Sequence, residues 1–395
     1  MRALMRRAGM PLALVLGAAV LSGCSLGSLE VRAGVQEPRS AATIEITPTA
    51  ASGAPVAPSA PLVVSAKAGR LSQVTVRGPH GSVPGTLSTD GLSFTVPGGS
   101  MDYATAYTVD AVAVDRVGLV THTTSTVRTV APSLFLSYVV SPRDGATVGV
   151  GMPITLHLDH KLRNDSSKAA FERVLSVTVD GQRVAGAWNW VAANVVEYRP
   201  ANFWPGHATV TVTGALKGHR FTTSVWGKTD VSSTFHTGAM MISTVDIVTD
   251  TMTVTSDGEV LRVVPITTGK SGFETRGGIK VIEGKERRRI MDAATGGTDP
   301  TDPEYYRLEV EYAMRITNSG EFLHAAPWSV RHQGHENVSH GCTGMSTADA
   351  AWFYGLSRIG DVVIYTGSAR PLEPGNGITV WNDTFADWSK GSALA

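Results

Sequence analysis

The sequence predicts a mainly β protein, with two immunoglobulin-like β-sandwich domains followed by a β-rich module with few helices. Three observations carry this. Gly is abundant at 42 residues and aromatics stand at only 7%, and Thr and Val are plentiful, a balance that leans towards strands. Short runs of alternating polarity, broken by turn residues, recur from about residue 61 to residue 238, the pattern of small sandwiches. From Met240 the texture changes into longer strands that end in the densest run of chemically capable side chains in the chain. The 395 residues suit two to three domains of roughly 100–200 residues each. The 34 basic side chains balance the 34 acidic ones, and no basic patch of the kind that nucleic acid requires is present, so no nucleic-acid partner is expected.

Residues 1–23 read as an export signal. Arg2, Arg6 and Arg7 form a positive start, and the apolar stretch 11–21 is too short to span a bilayer comfortably. It ends in Leu21-Ser22-Gly23-Cys24, which resembles a bacterial lipobox, in which the cysteine is acylated and becomes the new N-terminus. The other reading is an ordinary signal peptide with an incidental cysteine. The lipobox implies lipidation at Cys24 and a chain anchored to the cell membrane on its extracytoplasmic face. Residues 24–60, rich in Ala, Pro, Ser, Gly and Thr, are expected to be a flexible tether.

The first sandwich is expected over 61–131, from Gln73-Val74-Thr75-Val76, Leu92-Ser93-Phe94-Thr95-Val96 and the run 107–114. The second is expected over 132–238. Ile154-Thr155-Leu156-His157-Leu158 alternates strictly, and Val177-Thr178-Val179-Asp180-Gly181 is a strand ending in a turn. Trp188 and Trp190 are candidates to fill a core that has no disulfide. His157 falls on the polar face of its strand, so with His160 it reads as surface rather than as a metal ligand. Both modules read as passive spacers ahead of binding modules.

The third module is expected over 239–366, with a C-terminal extension, 367–395, packed on it. A turn at Asp257-Gly258 marks a hairpin, and strands follow at 261–266, 278–282 and 306–316. Four of the eleven histidines, His324, His332, His335 and His340, precede Cys342 closely. If Cys24 carries lipid, Cys342 is the last thiol and no intramolecular disulfide can form. Such a cysteine is either a small buried hydrophobe or is kept for reactivity. As a nucleophile it needs a histidine to take or offset its proton, a sharply turned backbone that Gly341 permits, and N–H donors for an oxyanion, for which the amides of Gly341 and Cys342 are candidates. Ser346-Thr347-Ala348-Asp349 reads as an N-cap with an acid at N3, opening a helix with Trp352, Phe353 and Leu356 on its apolar side; a strand follows at 362–365. A zinc site would pair one thiolate with His324, His335 or His340, whereas common structural sites use two or more cysteines. No metal and no cofactor are expected.

The residues Ile290-Met291-Asp292, Tyr306-Arg307-Leu308, Asn318-Ser319-Gly320, His324-Ala325-Ala326-Pro327-Trp328-Ser329, Ser339-His340-Gly341-Cys342 and Ile378-Thr379-Val380-Trp381-Asn382 resemble the L,D-transpeptidase catalytic domain, the YkuD-type fold. The likeness is to the subgroup with two immunoglobulin-like domains on a lipoprotein anchor. The resemblance implies that Cys342 attacks the acyl donor and His324 serves as base. It implies that the Ala325 carbonyl orients the imidazole, and that Ser339, His340 and Gly341 shape the turn. Tyr306, Ser319, Gly320, Met291 and Trp328 would line the donor pocket. It further implies peptidoglycan stem peptides as partners, a 3→3 cross-link as product and carbapenems as covalent inhibitors.

Two positions depart from the pattern. Gly344 stands where the family usually has Asn or Arg, which removes one side-chain contact to substrate. Thr275-Arg276-Gly277-Gly278 stands where it often has Thr-Pro-x-Gly. The alternatives are a transpeptidase that attaches proteins to the wall and a non-catalytic wall-binding lipoprotein. A sortase is disfavoured because no Arg follows Cys342 before Arg358.

Overall fold

The computed structural model describes residues 38–48 and 54–395; the leader, Cys24 and the first part of the expected tether lie outside them. Alternation builds the first sandwich. In Leu62–Lys67 the side chains of Leu62, Val64 and Ala66 are buried and those between are half-buried. This strand lies between Thr43–Thr47 and Ser93–Val96 in a sheet that ends with Thr86–Leu87. The opposing sheet runs Gly81–Ser82, Gly69–Gly78, Ala106–Asp115, Val120–Arg128. Leu62, Val64, Val109, Ala111 and Val127 close one core between the two sheets. The expected tether is corrected here. Thr43–Thr47 pairs antiparallel with residues 63–67, because Ile44 and Ile46 alternate and Ile46 buries against the core.

The second sandwich packs the sheet Tyr138–Ser141, Ile154–Leu158, Val195–Pro200, Gly186–Ala192 against Thr147–Val148, Val231–Thr237, Thr209–Gly214, Leu175–Val179, Gln182–Arg183. Its core centres on Trp204, Phe171, Phe235 and Trp188. Trp190 sits at the rim, half-buried, and donates its indole N–H to Glu172 at 2.6 Å. Asp180 and Gly181 both take positive φ, the geometry of a two-residue turn between paired strands. A helix not foreseen in this module, Asp165–Arg173, starts where the Asn164 side chain accepts from the Ser167 N–H. His157 is exposed, and His160 bonds Asp159 at 2.8 Å.

The third module has two sheets. One orders Glu259–Pro265, Thr251–Ser256, Met241–Asp246, Val362–Thr366, Gly278–Val281; the other orders Gly284–Asp292, Arg307–Arg315, Phe322–Ala325, Thr343–Met345. Met252, Val254, Met314, Leu323, Met345, Phe353 and Val363 fill the space between them. The Asp257-Gly258 turn, again with positive φ at both residues, joins Thr251–Ser256 to Glu259–Pro265. The helix Thr347–Leu356 is capped by Ser346, which accepts from the Asp349 N–H and bonds its carboxylate. Phe353 is its buried anchor, while Trp352 and Leu356 are half-buried.

The C-terminal extension is not confined to the catalytic module. Trp381 and Trp388 pack with Val281, but Trp388 donates to the Ala187 carbonyl at 3.0 Å and Trp381 to the Gly151 carbonyl at 2.7 Å. The Arg199 guanidinium lies 5.0–5.5 Å from the rings of Trp381, Phe385 and Trp388. The segment clasps the second sandwich through these indole hydrogen bonds and the packing of its aromatic rings round Arg199.

The same junction buries Asp361. One carboxylate oxygen accepts from the Arg358 N–H at 2.7 Å, and the other has no partner. Burial pushes its carboxyl up to about 7, against the opposing pull of Arg358 and Lys285. A folded-state pKa raised above the unfolded value means that stability present at pH 4 is lost as pH rises through about 7. Asp361→Asn is therefore expected to raise the melting temperature at pH 8 and to leave it unchanged near pH 4. Thermal melts of the two proteins at both pH values check this.

Candidate active site

The site is built on the pairing of two short parallel strands. Leu323 stands opposite Thr343, His324 opposite Gly344 and Ala325 opposite Met345. Side chains alternate along strands, so Cys342, which enters the second strand, faces the same side as His324. Both line one cleft of about 180 Å³, together with Met291, Tyr306, Trp328, Ser339, His340 and Gly344. Seven of the eleven residues implied above thus meet at one surface, with Gly344 beside them. Leu308, Val310 and Val338 add apolar wall.

His324 is buried at 6% exposure. Its Nδ1 lies 2.8 Å from the Ala325 carbonyl. A carbonyl only accepts, so Nδ1 carries the proton and Nε2 is left with the lone pair. The Ala325 carbonyl thus fixes the tautomer that a base requires. Burial holds the imidazole below its ordinary value of 6.5, with the Ala325 bond opposing. The Trp328 ring, 55% exposed, lies 6.0 Å from the imidazole at a 31° tilt.

Cys342 is a half-buried free thiol. Its Sγ donates to the Gly320 carbonyl at 3.7 Å. Burial pushes the thiol up to about 11; the Phe322 backbone amide, Lys280 and Arg315 oppose this, and Glu321 adds to it. Burial thus disfavours both the thiolate and the imidazolium.

Three bonds hold the turn. Ser339 Oγ donates to the Cys342 carbonyl at 2.6 Å and accepts from the Gly341 N–H at 3.1 Å. Thr275 Oγ1 donates to the Gly341 carbonyl at 2.8 Å. Gly341 has φ +120, which L side chains rarely adopt. Because the Gly341 amide is engaged by Ser339, the amide of Cys342 is the remaining candidate for an oxyanion. His340 packs between Phe273 and Tyr306, with centroids at 4.6 and 4.9 Å, and bonds Glu304 at 2.7 Å. Glu304 in turn pairs with Lys270. Tyr306 is half-buried, and burial, then the sulfur's charge, pushes its phenol up to about 12.

Two implied pocket residues fall elsewhere. Ser319 is exposed and is bonded to Asn376 through its N–H at 2.8 Å and its hydroxyl at 2.9 Å. Gly320, with φ +103, touches the thiol through its carbonyl rather than lining the cleft. Ser319 is held there by Asn376 of the C-terminal extension. Sequence reading missed Glu304, Lys270, Lys280 and Glu321, whose partners lie far away along the chain.

The upstream and catalytic portions both match known families. A model described as the L,D-transpeptidase catalytic domain matches residues 241–364, and one described as a bacterial Ig domain matches residues 53–220. L,D-transpeptidase 2 of Mycobacterium tuberculosis is 34% identical over 338 residues, which is 85% of this chain and 81% of that protein. The chain belongs to the L,D-transpeptidase family. L,D-transpeptidase 5 of Mycobacterium tuberculosis is 32% identical over 345 residues, 85% of this chain and 73% of that protein. Among solved structures, an L,D-transpeptidase in complex with imipenem superposes with a TM-score of 0.51 at 34% identity, over 60% of this chain and 100% of that one. An L,D-transpeptidase from Mycobacterium smegmatis gives 0.50 at 36% identity, over 59% and 99%.

In this L,D-transpeptidase Gly344, two residues after Cys342, has a structural reason to be glycine. The Gly344 amide and carbonyl both pair with Thr267, at 2.9 and 3.0 Å, and a Cβ there would meet Ala326 Cβ at 2.9 Å and Thr267 Cγ2 at 3.1 Å. Gly344→Asn is expected to destabilise by about 1–3 kcal/mol through overpacking, read as a lower melting temperature, and to slow Cys342 acylation. The depressed imidazole gives a second expectation. A His324 that serves as base must be neutral, so the acid limb of Cys342 acylation by a carbapenem is expected below pH 6.5. Acylation followed by intact mass from pH 4 to 8 checks this, and a limb above pH 7 contradicts it.

Proposed function

We propose that this protein forms 3→3 cross-links between peptidoglycan stem peptides through a thioester on Cys342. One observation carries the reading: a free thiol and an imidazole with its Nε2 lone pair line one apolar cleft. Nε2 of His324 takes the thiol proton as Sγ attacks the carbonyl of the third stem residue. The tetrahedral centre collapses, the amine of the terminal D-Ala leaves with the proton from His324, and a thioester remains. The side-chain amine of a second stem attacks the thioester and gives its proton to His324. The amide forms, and the sulfur leaves and is reprotonated. Each step moves one proton onto or off Nε2 of His324, which exchanges it in turn with Sγ, the departing D-Ala nitrogen and the acceptor nitrogen.

The relative solved with imipenem supports a further part of this reading, that carbapenems acylate Cys342. The lipobox at Cys24 supports placing the enzyme on the extracytoplasmic face of the membrane, with the sandwiches as a spacer towards the wall.

The experiment is intact-mass analysis of the protein with imipenem, alongside exchange of D-Ala for a labelled D-amino acid on a tetrapeptide stem. Wild type is expected to gain one adduct and to exchange; Cys342→Ala is expected to do neither. An adduct on the variant removes Cys342 from the mechanism. Adduct formation without exchange restricts the protein to wall binding.

A further inference from the structure

The far end of the first sandwich carries side chains that neither its core nor the mechanism above uses. The near end meets the second sandwich. There the Tyr103 hydroxyl donates to the Gly227 carbonyl at 2.8 Å and accepts from the Gly218 N–H at 2.7 Å, and Ser59 donates to the Gly218 carbonyl at 2.8 Å. Strand Ala106–Asp115 begins beside this joint and runs 10 residues to the far end, a distance of about 33 Å. A tight turn, with Gly118 at φ +86, then leads back into Val120–Arg128. The chain also enters the sandwich at this far end. The Ser40 hydroxyl donates to the Leu119 carbonyl at 3.1 Å, and the Ala41 N–H donates to Asp115 at 3.0 Å.

Three large apolar side chains stand in water here: Val117 at 80% exposure, Val120 at 60% and Leu92 at 44%. Beside them lies a cavity of about 470 Å³ whose lining includes Arg70, Leu92, Val114 and Arg116. Val114 pairs across the sheet with both Arg70 and Val120, so arginine and apolar side chains share one surface. Both arginines are exposed. The acids at this end are engaged elsewhere. Asp115 is buried, and its oxygens accept from the Ala41, Val117 and Leu119 amides. Asp90 accepts from Ser88 and from the Leu92 amide, and offsets part of the Arg70 charge. Lys67 pairs with Glu45. The two signs balance in number, so the end is amphipathic rather than basic.

A single exposed valine is ordinary. Three apolar side chains beside two guanidiniums, at the end where the anchoring segment joins, form a pattern whose occupant the chain itself selects. Cys24 stands 16 residues before Ser40, and a segment of that length spans at most about 55 Å. A lipid on Cys24 would hold this end near a bilayer at high effective concentration, so a weak affinity suffices to seat it. We propose that the Arg116–Val117 turn, with Val120, Leu92 and Arg70, is a membrane-contact surface: the three apolar side chains enter the interfacial layer of a phospholipid bilayer and the two guanidiniums meet headgroup phosphates. Every phospholipid carries a phosphate, so the contact needs no net positive charge. The proposal rests on the lipobox reading of Cys24. Its consequence is orientation. With this end seated, the joint at Tyr103 points away from the bilayer, and the second sandwich with it.

The test uses residues 25–395, which keep every described residue and carry no lipid, with vesicles of phosphatidylethanolamine and phosphatidylglycerol at millimolar lipid. The unsubstituted chain is expected to float with the vesicles in a density gradient. Val117→Asp/Val120→Asp is expected to lower the bound fraction about tenfold, and Arg70→Ala/Arg116→Ala about threefold. All four side chains are exposed, so wild-type melting temperatures are expected in both variants. In a Cys342→Ala background, Val117→Cys supplies one thiol for an environment-sensitive dye, whose emission is expected to move to the blue on vesicles. The same dye at Val139→Cys, 68% exposed in the second sandwich, is expected to stay unchanged. A chain that remains in solution overturns the proposal, as does binding that survives Val117→Asp/Val120→Asp or an equal blue shift at both labels. A dimer that Val117→Asp breaks, without vesicle binding, assigns the surface to a second copy and also overturns it. Lipidation is read separately, from the mass of the exported chain. Its absence removes the anchor and leaves the vesicle result standing, and failure on vesicles leaves the anchor standing.

Discussion

The burial of His324 and half-burial of Cys342 at one cleft is the constraint around which the catalytic module is arranged. The parallel pairing of Phe322–Ala325 with Thr343–Met345 brings a thiol and an imidazole to one face, the imidazole buried and the thiol half-buried. Desolvation disfavours thiolate and imidazolium alike. In the proposed reaction, charge would develop on the pair only as the sulfur attacks a substrate carbonyl. That arrangement protects a lone thiol from oxidation chemistry, which follows thiolate character. It also explains why the imidazole is locked through Nδ1 to the Ala325 carbonyl: in a neutral pair the tautomer, rather than a charge, decides which atom is the base.

A neutral nucleophile needs an accurate seat. The turn from Ser339 to Cys342 is fixed at both ends by its own hydroxyl and by Thr275. The segment leading to it is held by Asn337, whose side chain accepts from Thr268 and donates to the Ile247 carbonyl. Gly344 belongs to the same scheme. Without a side chain, its backbone pairs with Thr267 on one face while Ala326 closes the other. The loss of a side-chain contact to substrate, read from sequence alone as a weakness, is therefore the condition for a third strand-like contact at the floor of the cleft.

What could be read in the sequence follows from how far apart the interacting groups lie along the chain. The Asp-Gly turns, the Ser346 cap, the alternating strands and the Ser339–Cys342 turn depend on residues within a few positions of one another, and the structure places them as read. His324 was legible through the family pattern. Glu304 under His340, Lys280 under Cys342 and Asp361 at the junction were not. Each gains its meaning from a partner brought in by sheet pairing, and a charged residue in a strand looks like a solvated face until its neighbour is known. Thr43–Thr47 was hidden for a different reason: two isoleucines in an Ala- and Pro-rich stretch carry too little periodicity to outweigh composition.

The C-terminal extension ties these levels together. At one end, Trp388 and Trp381 are bonded into the second sandwich and packed round Arg199. At the other, Asn376 holds Ser319, the residue before the one whose carbonyl touches the thiol. Glu373, bonded to the same Asn376, also pairs with Arg276, and Arg276 reaches the carboxylate beneath the nucleophile. A continuous chain of bonds therefore runs from the sandwich core to both sides of Cys342. A spacer attached by a flexible joint would need none of these contacts. Their presence makes the second sandwich part of the scaffold that sets the position of the Gly320 carbonyl.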